Sequence, residues 1–304
     1  METSVRSSDE LAIRTPGIRE TFRSYVELTK IRIVLLLIFT TVTAMFIAAD
    51  GVPDFSVLLP TVIGGALSAA GASVINQFLD RDLDAKMART ARRPLPSGRV
   101  APINALLFGL ALIVWSTLIL GYFVNWLTAL LALAGAVYYV IIYTMLLKRN
   151  TAINIVIGGG AGAMPVLVGW AAVTSTLSYE ALLLFAIIFF WTPPHSWALA
   201  LLVNVDYARA GVPMMPVARG EAVTRQQIVV YSFVLLVVSI LPVLTGTLGV
   251  IYLLAALLLG GGLLWYAVLL VRRKDGATAK LTYKFSTAYL AFLFLVMILD
   301  RVVL

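Results

Sequence analysis

Nine long apolar runs constrain what this sequence can fold into. A helix needs about 20 apolar residues to cross the hydrocarbon layer of a membrane, and 61% of the 304 residues are hydrophobic while 12% are charged. Ordinary soluble domains carry about 25% charged residues, and one soluble core cannot bury so much apolar surface. The chain is therefore predicted to be an all-α integral membrane protein. The predicted spans are residues 33–49, 55–75, 102–122, 126–147, 152–173, 180–202, 227–247, 249–271 and 285–304.

The basic residues lie almost entirely on one side of these spans. With nine spans, all but one of the 23 Lys and Arg residues share one face, and Arg301 is the exception. Cytoplasmic loops are enriched in Lys and Arg, so we expect this face, with the N-terminus, to be cytoplasmic and the protein to lie in the cytoplasmic (inner) membrane. Topology thus accounts for the net charge of +8, and no nucleic-acid partner is expected. Two parts are predicted, a cytoplasmic segment over residues 1–32 and a transmembrane domain over residues 33–304.

The segment before the first span contains a helix signal. Thr15-Pro16 is typical of a helix start, and Ile18, Phe22 and Val26 recur every four residues. This pattern predicts a short helix that lies on the membrane surface and contacts lipid. The segment lacks an apolar stretch with a cleavage site, so no cleavable signal peptide is expected.

Three polar residues spaced by four, Asn76, Asp80 and Asp84, follow the second predicted span. This spacing places them on one helical face. Two stacked carboxylates repel each other unless a cation joins them, and Mg²⁺ is usually held by one or two carboxylates together with substrate phosphates. The pattern indicates a site for magnesium and diphosphate at the membrane boundary. On spacing alone, a solvated loop in which each Asp pairs with an Arg is the alternative.

A cationic segment comes next. Its basic residues are Lys86, Arg89, Arg92 and Arg93, and Pro94 to Arg99 follow. The prolines exclude a continuous helix, so an ordered, extended loop over the helix end is predicted. Arginine is suited to forked contacts with phosphate oxygens, although the positive-inside topology explains the same cations equally well.

A second polar loop, from Asn204 to Gly220, follows the sixth span. Its Asp206 comes four spans after Asp80, so both loops lie on the same face in a nine-span protein. This arrangement suggests a weak internal repeat of two four-helix units. The two loops could grip one diphosphate between them.

Two further features lie inside the predicted bilayer. The glycines from Gly158 to Gly162 in the fifth span can admit either close helix packing or a bulky ligand. In the sixth span, Pro193 and Pro194 are predicted to break the helix beside His195, the sole histidine. Ionisable groups within membranes are rare and often functional, and the alternative is a neutral His195 hydrogen-bonded to a neighbouring helix. The chain has no Cys, which excludes disulfides and thiolate chemistry.

Together these motifs resemble the UbiA superfamily of intramembrane prenyltransferases, and most closely its protohaem IX farnesyltransferase (haem O synthase) family. The resemblance extends from about residue 25 to residue 302 and rests on four signatures in order. They are Asp80 to Thr90 with Arg93-Pro94-Leu95 and Gly98-Arg99, Tyr143 to Arg149 with residues 154–170, Trp191 to His195, and Asp206 to Met214.

The resemblance implies nine transmembrane helices around a central cavity. It implies transfer of the farnesyl group of farnesyl diphosphate to a vinyl group of haem b, with addition of water and release of diphosphate, to give haem O. By matched position it implies Mg²⁺ and diphosphate binding by the catalytic residues Asn76, Asp80, Asp84 and Asp206. It further implies that Arg89, Arg93, Lys148 and Arg149 face the diphosphate, and that His195 contacts haem. Haem A synthase, the next enzyme of haem A synthesis, is a partner to test.

One departure and two alternatives stay open. The second loop has Asp206 and Tyr207 where many relatives carry two aspartates four apart, which leaves binding of a second Mg²⁺ open. A UbiA-type enzyme with a quinone or chlorophyll-precursor acceptor is one alternative. A transporter is another, because broken helices and an internal repeat also suit alternating access. Against the transporter, the acidic residues cluster at the rim rather than at the bilayer midplane.

Overall fold

The computed structural model describes residues 17–303, and within them the chain is helical and contains no β-strand. Nine of the helices in this range are long and apolar enough to cross a membrane, which confirms the predicted all-α, multi-pass membrane fold. In chain order the helices are α1 (Ile18–Thr29), α2 (Ile31–Ala48), α3 (Phe55–Leu79), α4 (Arg81–Lys86), α5 (Pro102–Phe123), α6 (Trp126–Leu147), α7 (Asn154–Thr174), α8 (Tyr179–Leu202), α9 (Asn204–Ala210), α10 (Met215–Arg219), α11 (Glu221–Leu244), α12 (Val250–Arg273) and α13 (Gly276–Val303).

Three of the spans are longer than predicted at the ends that meet the basic loops. Helix α3 continues to Leu79 instead of ending at 75, α11 begins at Glu221 rather than 227, and α13 begins at Gly276 rather than 285. The prediction followed apolar runs, but helical hydrogen bonds need no apolar side chains. Polar residues such as Gln77 and Thr282 are buried in these extensions. The helices therefore continue beyond the ends of the apolar runs.

Helix α8 is continuous through Pro193 and Pro194, so the predicted break is wrong. Each proline removes a backbone donor. However, α7, α11 and α13 all pack against α8, and both prolines are buried. Such packing allows proline to persist in membrane helices.

Helix α1 presents the predicted apolar stripe. Ile18, Phe22 and Val26 are exposed, and α1 contacts α2 and α3. The helix begins after Gly17, its N-cap, while Thr15-Pro16 lies outside the described residues. The exposed stripe suits a helix that rests on a membrane surface.

Helices α7 and α8 occupy the middle of the bundle. Helix α7 packs against α2, α6 and α8, whereas α8 packs against α11 and α13. A Cβ on Gly159 would lie 3.0 Å from Thr192 of α8, and one on Gly169 would lie 2.2 Å from the Thr41 carbonyl oxygen of α2. Gly162 instead faces open space. The small residues of α7 therefore serve helix packing at most positions and border a cavity at one.

That cavity is a partly open apolar cleft, which together with the open solvent at its mouth contains about 820 Å³ of empty space. It lies among α2, α3, α6 and α7, in the first half of the bundle. Its lining includes Leu37, Ser73, Tyr139 and Gly162. This cleft is bounded by four of the nine spans.

Arg301, the basic residue outside the common face, has an acidic neighbour. Its Nε lies 2.7 Å from Asp50 Oδ1 in the connection between α2 and α3. The charge of Arg301 is therefore balanced by a neighbouring carboxylate, although Arg301 lies on the face opposite the other described basic residues.

Candidate active site

Asn76 lies at the centre of a hydrogen-bonded cluster near the end of α3. Its Nδ2 donates to Asp80 Oδ2 at 2.8 Å and to Thr144 Oγ1 at 3.0 Å. Its Oδ1 accepts a hydrogen bond from Lys30 Nζ at 2.9 Å. The spacing of four puts Asn76 and Asp80 one turn apart, as predicted, and tertiary packing adds Lys30 and Thr144 to them.

Asp80 is a buried carboxylate flanked by two cations. It is 1% exposed, with Lys148 Nζ at 2.5 Å from Oδ2 and Arg149 Nη2 at 3.7 Å from Oδ1. Within residues 17–303, Oδ1 has no hydrogen-bond donor. A buried charged oxygen without a donor is costly unless a cation binds it. One oxygen of Asp80 is thus available to a metal ion.

Asp84 is the second buried carboxylate, on α4. Arg93 Nη1 donates to its Oδ2 at 2.8 Å, and Thr90 Oγ1 donates to its backbone oxygen at 2.9 Å. Two carboxylates and an amide oxygen are the hard oxygen ligands that Mg²⁺ prefers. The oxygens of Asn76, Asp80 and Asp84 therefore fit Mg²⁺. The clearest evidence is Asp80 Oδ1, which has no hydrogen-bond donor among residues 17–303.

Asp82 lies between the two buried carboxylates in the sequence, but its side chain is exposed. Both of its carboxylate oxygens accept hydrogen bonds at 2.9 Å from Arg149, which also donates to the Leu79 backbone oxygen. The Arg149 hydrogen bond lowers the pKa of Asp82, and the same bond raises the pKa of Arg149. Arg149 is therefore shared between an exposed carboxylate and the edge of the site.

Lys30 is a member of the site that sequence analysis counted only toward topology. It joins α1 to α2 in the left-handed conformation, with φ of 52°, and this turn directs its side chain toward Asn76. Burial, and after it the nearby Arg93 and Lys148 cations, lowers the pKa of Lys30 to about 7. Its position three residues before the first predicted span is the one sequence signal that could have identified it.

The last part of α6 is a π-helix, over Tyr138–Leu147. Its hydrogen bonds span five residues, as in the bond from Lys148 N to the Tyr143 oxygen at 2.8 Å. Thr144 Oγ1 also donates to the Tyr139 oxygen, at 2.8 Å. π-Helical segments occur frequently at functional sites. This one places Thr144 next to Asn76 and Lys148 next to Asp80.

The cationic segment after α4 is ordered but not extended. Successive tight turns are closed by the backbone bonds from Arg93 N to Thr90 O and from Ser97 N to Arg93 O, which corrects the predicted extended loop. Local hydrogen bonding satisfies this backbone where no strand partner is available. Arg99 then donates to Glu27 Oε2 at 2.9 Å and ties the segment to α1.

Asp206 does not join the two buried carboxylates in one compact group. It lies on α9, where Arg209 is 3.5 Å away, and among residues 17–303 no three His, Cys, Asp or Glu side chains converge as a metal cluster. Helix α9 does contact α4, so the two polar loops meet as predicted. Burial and the nearby Tyr143 raise the pKa of Tyr207, while Arg89 and other cations act in the opposite direction.

His195 lies on α8, on the side that faces α13. Its Nδ1 is 2.8 Å from Ser286 Oγ, and its ring stacks on Trp191 with the centroids 4.2 Å apart. This contact agrees with the expectation of a hydrogen bond to a neighbouring helix. Ser286 carries no signal of its own in the sequence, because nothing in the sequence places α13 beside α8.

The apolar cleft begins next to the polar cluster. Ser73, which lines it, is one helical turn before Asn76, and Tyr139, which also lines it, stacks on Tyr143 with the centroids 5.6 Å apart. A charged head held at the cluster would therefore have an apolar channel for an attached chain. Amphipathic ligands with an anionic group suit this arrangement.

Comparison with known proteins identifies related sequences and folds. The model of the UbiA prenyltransferase family matches residues 37–296. The chain is 52% identical over 308 residues to protoheme IX farnesyltransferase of Roseiflexus castenholzii, covering 98% of this chain and 58% of that one. It is 47% identical over 287 residues to the enzyme of the same name from Streptomyces coelicolor, covering 91% and 90%.

The fold is similar to that of a UbiA homolog from Archaeoglobus fulgidus bound to DMAPP and Mg²⁺. The TM-score is 0.64 at 16% identity, with 90% of this chain and 99% of that chain covered. Several of the curated relatives are much longer, and the chain spans about half the length of three of them.

Proposed function

Since this chain belongs to the UbiA prenyltransferase family, within its protoheme IX farnesyltransferase branch, we propose that it transfers the farnesyl group of farnesyl diphosphate to haem b. The observation that supports this most directly is the buried Asp80. Among residues 17–303 one of its oxygens has no hydrogen-bond donor, two cations flank it, and the apolar cleft begins about two helical turns away, at Ser73. A polar cluster for an anionic head joined to an apolar channel suits an amphipathic prenyl diphosphate.

The diphosphate is proposed to bind at the polar cluster, with the farnesyl chain in the cleft. Lys148 and Arg93 pair with Asp80 and Asp84, so both cations would lie beside a diphosphate held at these carboxylates. Arginine suits forked contacts with phosphate, and lysine acts as a compact charge. Arg89 and Arg149 extend the cationic surface at the rim.

Mg²⁺ is the proposed cofactor, held by Asn76, Asp80 and Asp84, with Asp206 contributing from the second half. When bound, it supplies positive charge to the diphosphate as that group leaves. Lys148 and Arg93 would stabilise the same negative charge more strongly in the transition state than in the ground state.

The reaction then requires no protein nucleophile. The allylic C–O bond of farnesyl diphosphate breaks, a haem vinyl carbon attacks the farnesyl cation, and a water oxygen adds to the other vinyl carbon and loses a proton. The products are haem O and diphosphate. The apolar walls of the cleft exclude other water from the cation. His195 is the proposed contact to haem.

Incubation of purified protein in detergent with haem b, farnesyl diphosphate and Mg²⁺ tests this function. Mass spectrometry should detect haem carrying a hydroxyethylfarnesyl group, and a chelator should abolish its formation. Folded protein that leaves haem b unchanged but prenylates an aromatic quinone precursor would place the activity in another branch of the superfamily. Movement of labelled farnesyl diphosphate across vesicles without chemical change would instead indicate a transporter.

The proposed location is the cytoplasmic (inner) membrane, with the N-terminus and the active-site loops in the cytoplasm. The basic face of the described loops supports this orientation. The proposed domain limits, 1–32 for the cytoplasmic segment and 33–304 for the transmembrane domain, follow from the same topology. Haem A synthase is a proposed partner, which co-purification from a membrane containing both proteins would test.

A further inference from the structure

An open groove runs between α1 and α5. Ile18, Phe22 and Tyr25 of α1 line it together with Phe108 of α5. The rings of Tyr25 and Phe108 meet edge to face with their centroids 5.0 Å apart, so the two helices are in contact along the groove. Ile18 and Phe22 are 91% and 70% exposed. This α1–α5 groove therefore presents apolar side chains that the described bundle leaves uncovered.

The groove lies at the depth where the acyl chains of phospholipids begin. Helix α5 starts at Pro102, and a rise of about 1.5 Å per residue places Phe108 about 9 Å along it. An amphipathic helix on a membrane buries its apolar face about 5–10 Å into the boundary between headgroups and acyl chains. An acyl chain in the groove would thus pass from α1 to Phe108 within the hydrocarbon layer.

Two cations flank the apolar stripe of α1. Arg19 and Arg23 are exposed and, being four residues apart, share one face of the helix. At about 100° per residue, this face adjoins the one that carries Phe22. The acidic residues of α1 lie farther round the helix, and Glu27 pairs with Arg99. The groove therefore has positive charge at one edge, which complements a lipid phosphate.

We propose that the α1–α5 groove binds one anionic phospholipid, with an acyl chain against Phe22 and Phe108 and the headgroup phosphate at Arg19 and Arg23. Arginine suits forked contacts with phosphate oxygens, and basic residues at a membrane surface favour anionic over zwitterionic lipids. This site goes beyond farnesyl transfer, because it requires neither haem nor a prenyl diphosphate.

A lipid bound in the groove would stabilise α1, whose last turn is tied to the polar cluster. Gln77 Nε2 donates to the Leu28 backbone oxygen at 2.7 Å, and Leu28 is fully buried. Two residues later, Lys30 donates to Asn76 at 2.9 Å. The position of α1 thus determines whether Lys30 reaches the cluster, and the lipid would keep it there.

Photo-crosslinking from inside the groove identifies its occupant. Full-length protein with p-benzoylphenylalanine in place of Phe22 would be reconstituted in vesicles of phosphatidylcholine with a minor share of phosphatidylglycerol, irradiated and analysed by mass spectrometry. Adducts should contain phosphatidylglycerol about 10-fold or more above its share of the membrane, and added salt should reduce this enrichment. The same replacement of Phe55, which is 68% exposed, is the matched control and should capture both lipids in proportion.

Any other occupant would overturn the proposal and would be visible in the same experiment. An adduct to a second copy of the chain would make the groove a dimer contact. An adduct to residues 1–16 would make it a binding surface for the N-terminal segment of the chain. Capture of the two lipids in proportion at position 22 would show a lipid-facing surface without a site.

Two double variants test the arginines. Arg19→Gln/Arg23→Gln should abolish the enrichment at position 22, whereas Lys280→Gln/Lys284→Gln, which removes two exposed cations four residues apart on α13, should preserve it. In hydrogen–deuterium exchange, α1 of the wild-type protein should exchange several-fold more slowly with phosphatidylglycerol present than in phosphatidylcholine alone. This difference should vanish in the arginine variant only, and equal effects of the two double variants would refute the arginine assignment.

The lipid site and the farnesyl transfer fail independently. Protein that makes haem O but captures both lipids in proportion would lose the lipid site and keep the reaction. Protein that captures phosphatidylglycerol preferentially but leaves haem b unchanged would keep the lipid site and lose the proposed reaction.

Discussion

Asp80→Asn should nearly eliminate turnover without unfolding the protein. The variant keeps the shape of the side chain and an oxygen that can accept from Asn76 and Lys148, so the cluster can remain assembled. It removes one negative charge beside the proposed Mg²⁺. Unit charges about 4 Å apart at an effective dielectric constant of about 20 interact by about 4 kcal/mol. At about 1.4 kcal/mol per tenfold change in rate, this corresponds to a loss of about 10³-fold.

Asp82→Asn is the matched control for this variant. The same chemical change is made two residues later, on a carboxylate whose side chain is 54% exposed and pairs with Arg149. Exposed ion pairs contribute about 0.2–1 kcal/mol, so the rate should fall less than about fivefold. Initial rates of haem O formation over a range of Mg²⁺ concentrations, with thermal stability in detergent measured alongside, provide the comparison. Equal losses in the two variants, or near-normal turnover of Asp80→Asn, would refute the assignment of the metal site.

Three further predictions concern the cleft, the fold and the topology. Gly162→Leu should raise the KM for farnesyl diphosphate about 10-fold but affect a five-carbon prenyl diphosphate little, whereas Gly261→Leu, also in open space, should change neither KM. Asp300→Ala should lower the free energy of unfolding by about 2–4 kcal/mol, seen as a lower melting temperature in detergent, because two amides at the start of α12 lose a charged acceptor. In this Cys-free chain, Ser97→Cys should react with an impermeant thiol reagent only from the cytoplasmic side, and Val52→Cys only from the opposite side.

The sequence determines the spans and the Asn76–Asp80 pair for local reasons. Apolar runs of about 20 residues have few alternatives to crossing a membrane. Asn76 and Asp80 meet because residues four apart on a helix are neighbours. Both conclusions depend on distances along the chain that are shorter than one helix.

The remaining parts of the site depend on contacts between distant residues. Lys30 is 46 positions from Asn76, and Thr144 is 68 positions from it. Ser286 is 91 positions from His195. No periodicity predicts such pairs, because they depend on which helices become neighbours. The continuity of α8 through Pro193 has the same origin, since three adjacent helices maintain it.

The number of residues in the π-helical end of α6 determines which side chains face the polar cluster. Side chains on an α-helix advance by about 100° per residue, so one deletion between Tyr138 and Lys148 would rotate the residues beyond it by that angle. Lys148 would then turn away from Asp80, although hydropathy and membrane insertion would hardly change. Evolution in this segment should therefore accept exchanges between apolar residues while rejecting insertions and deletions.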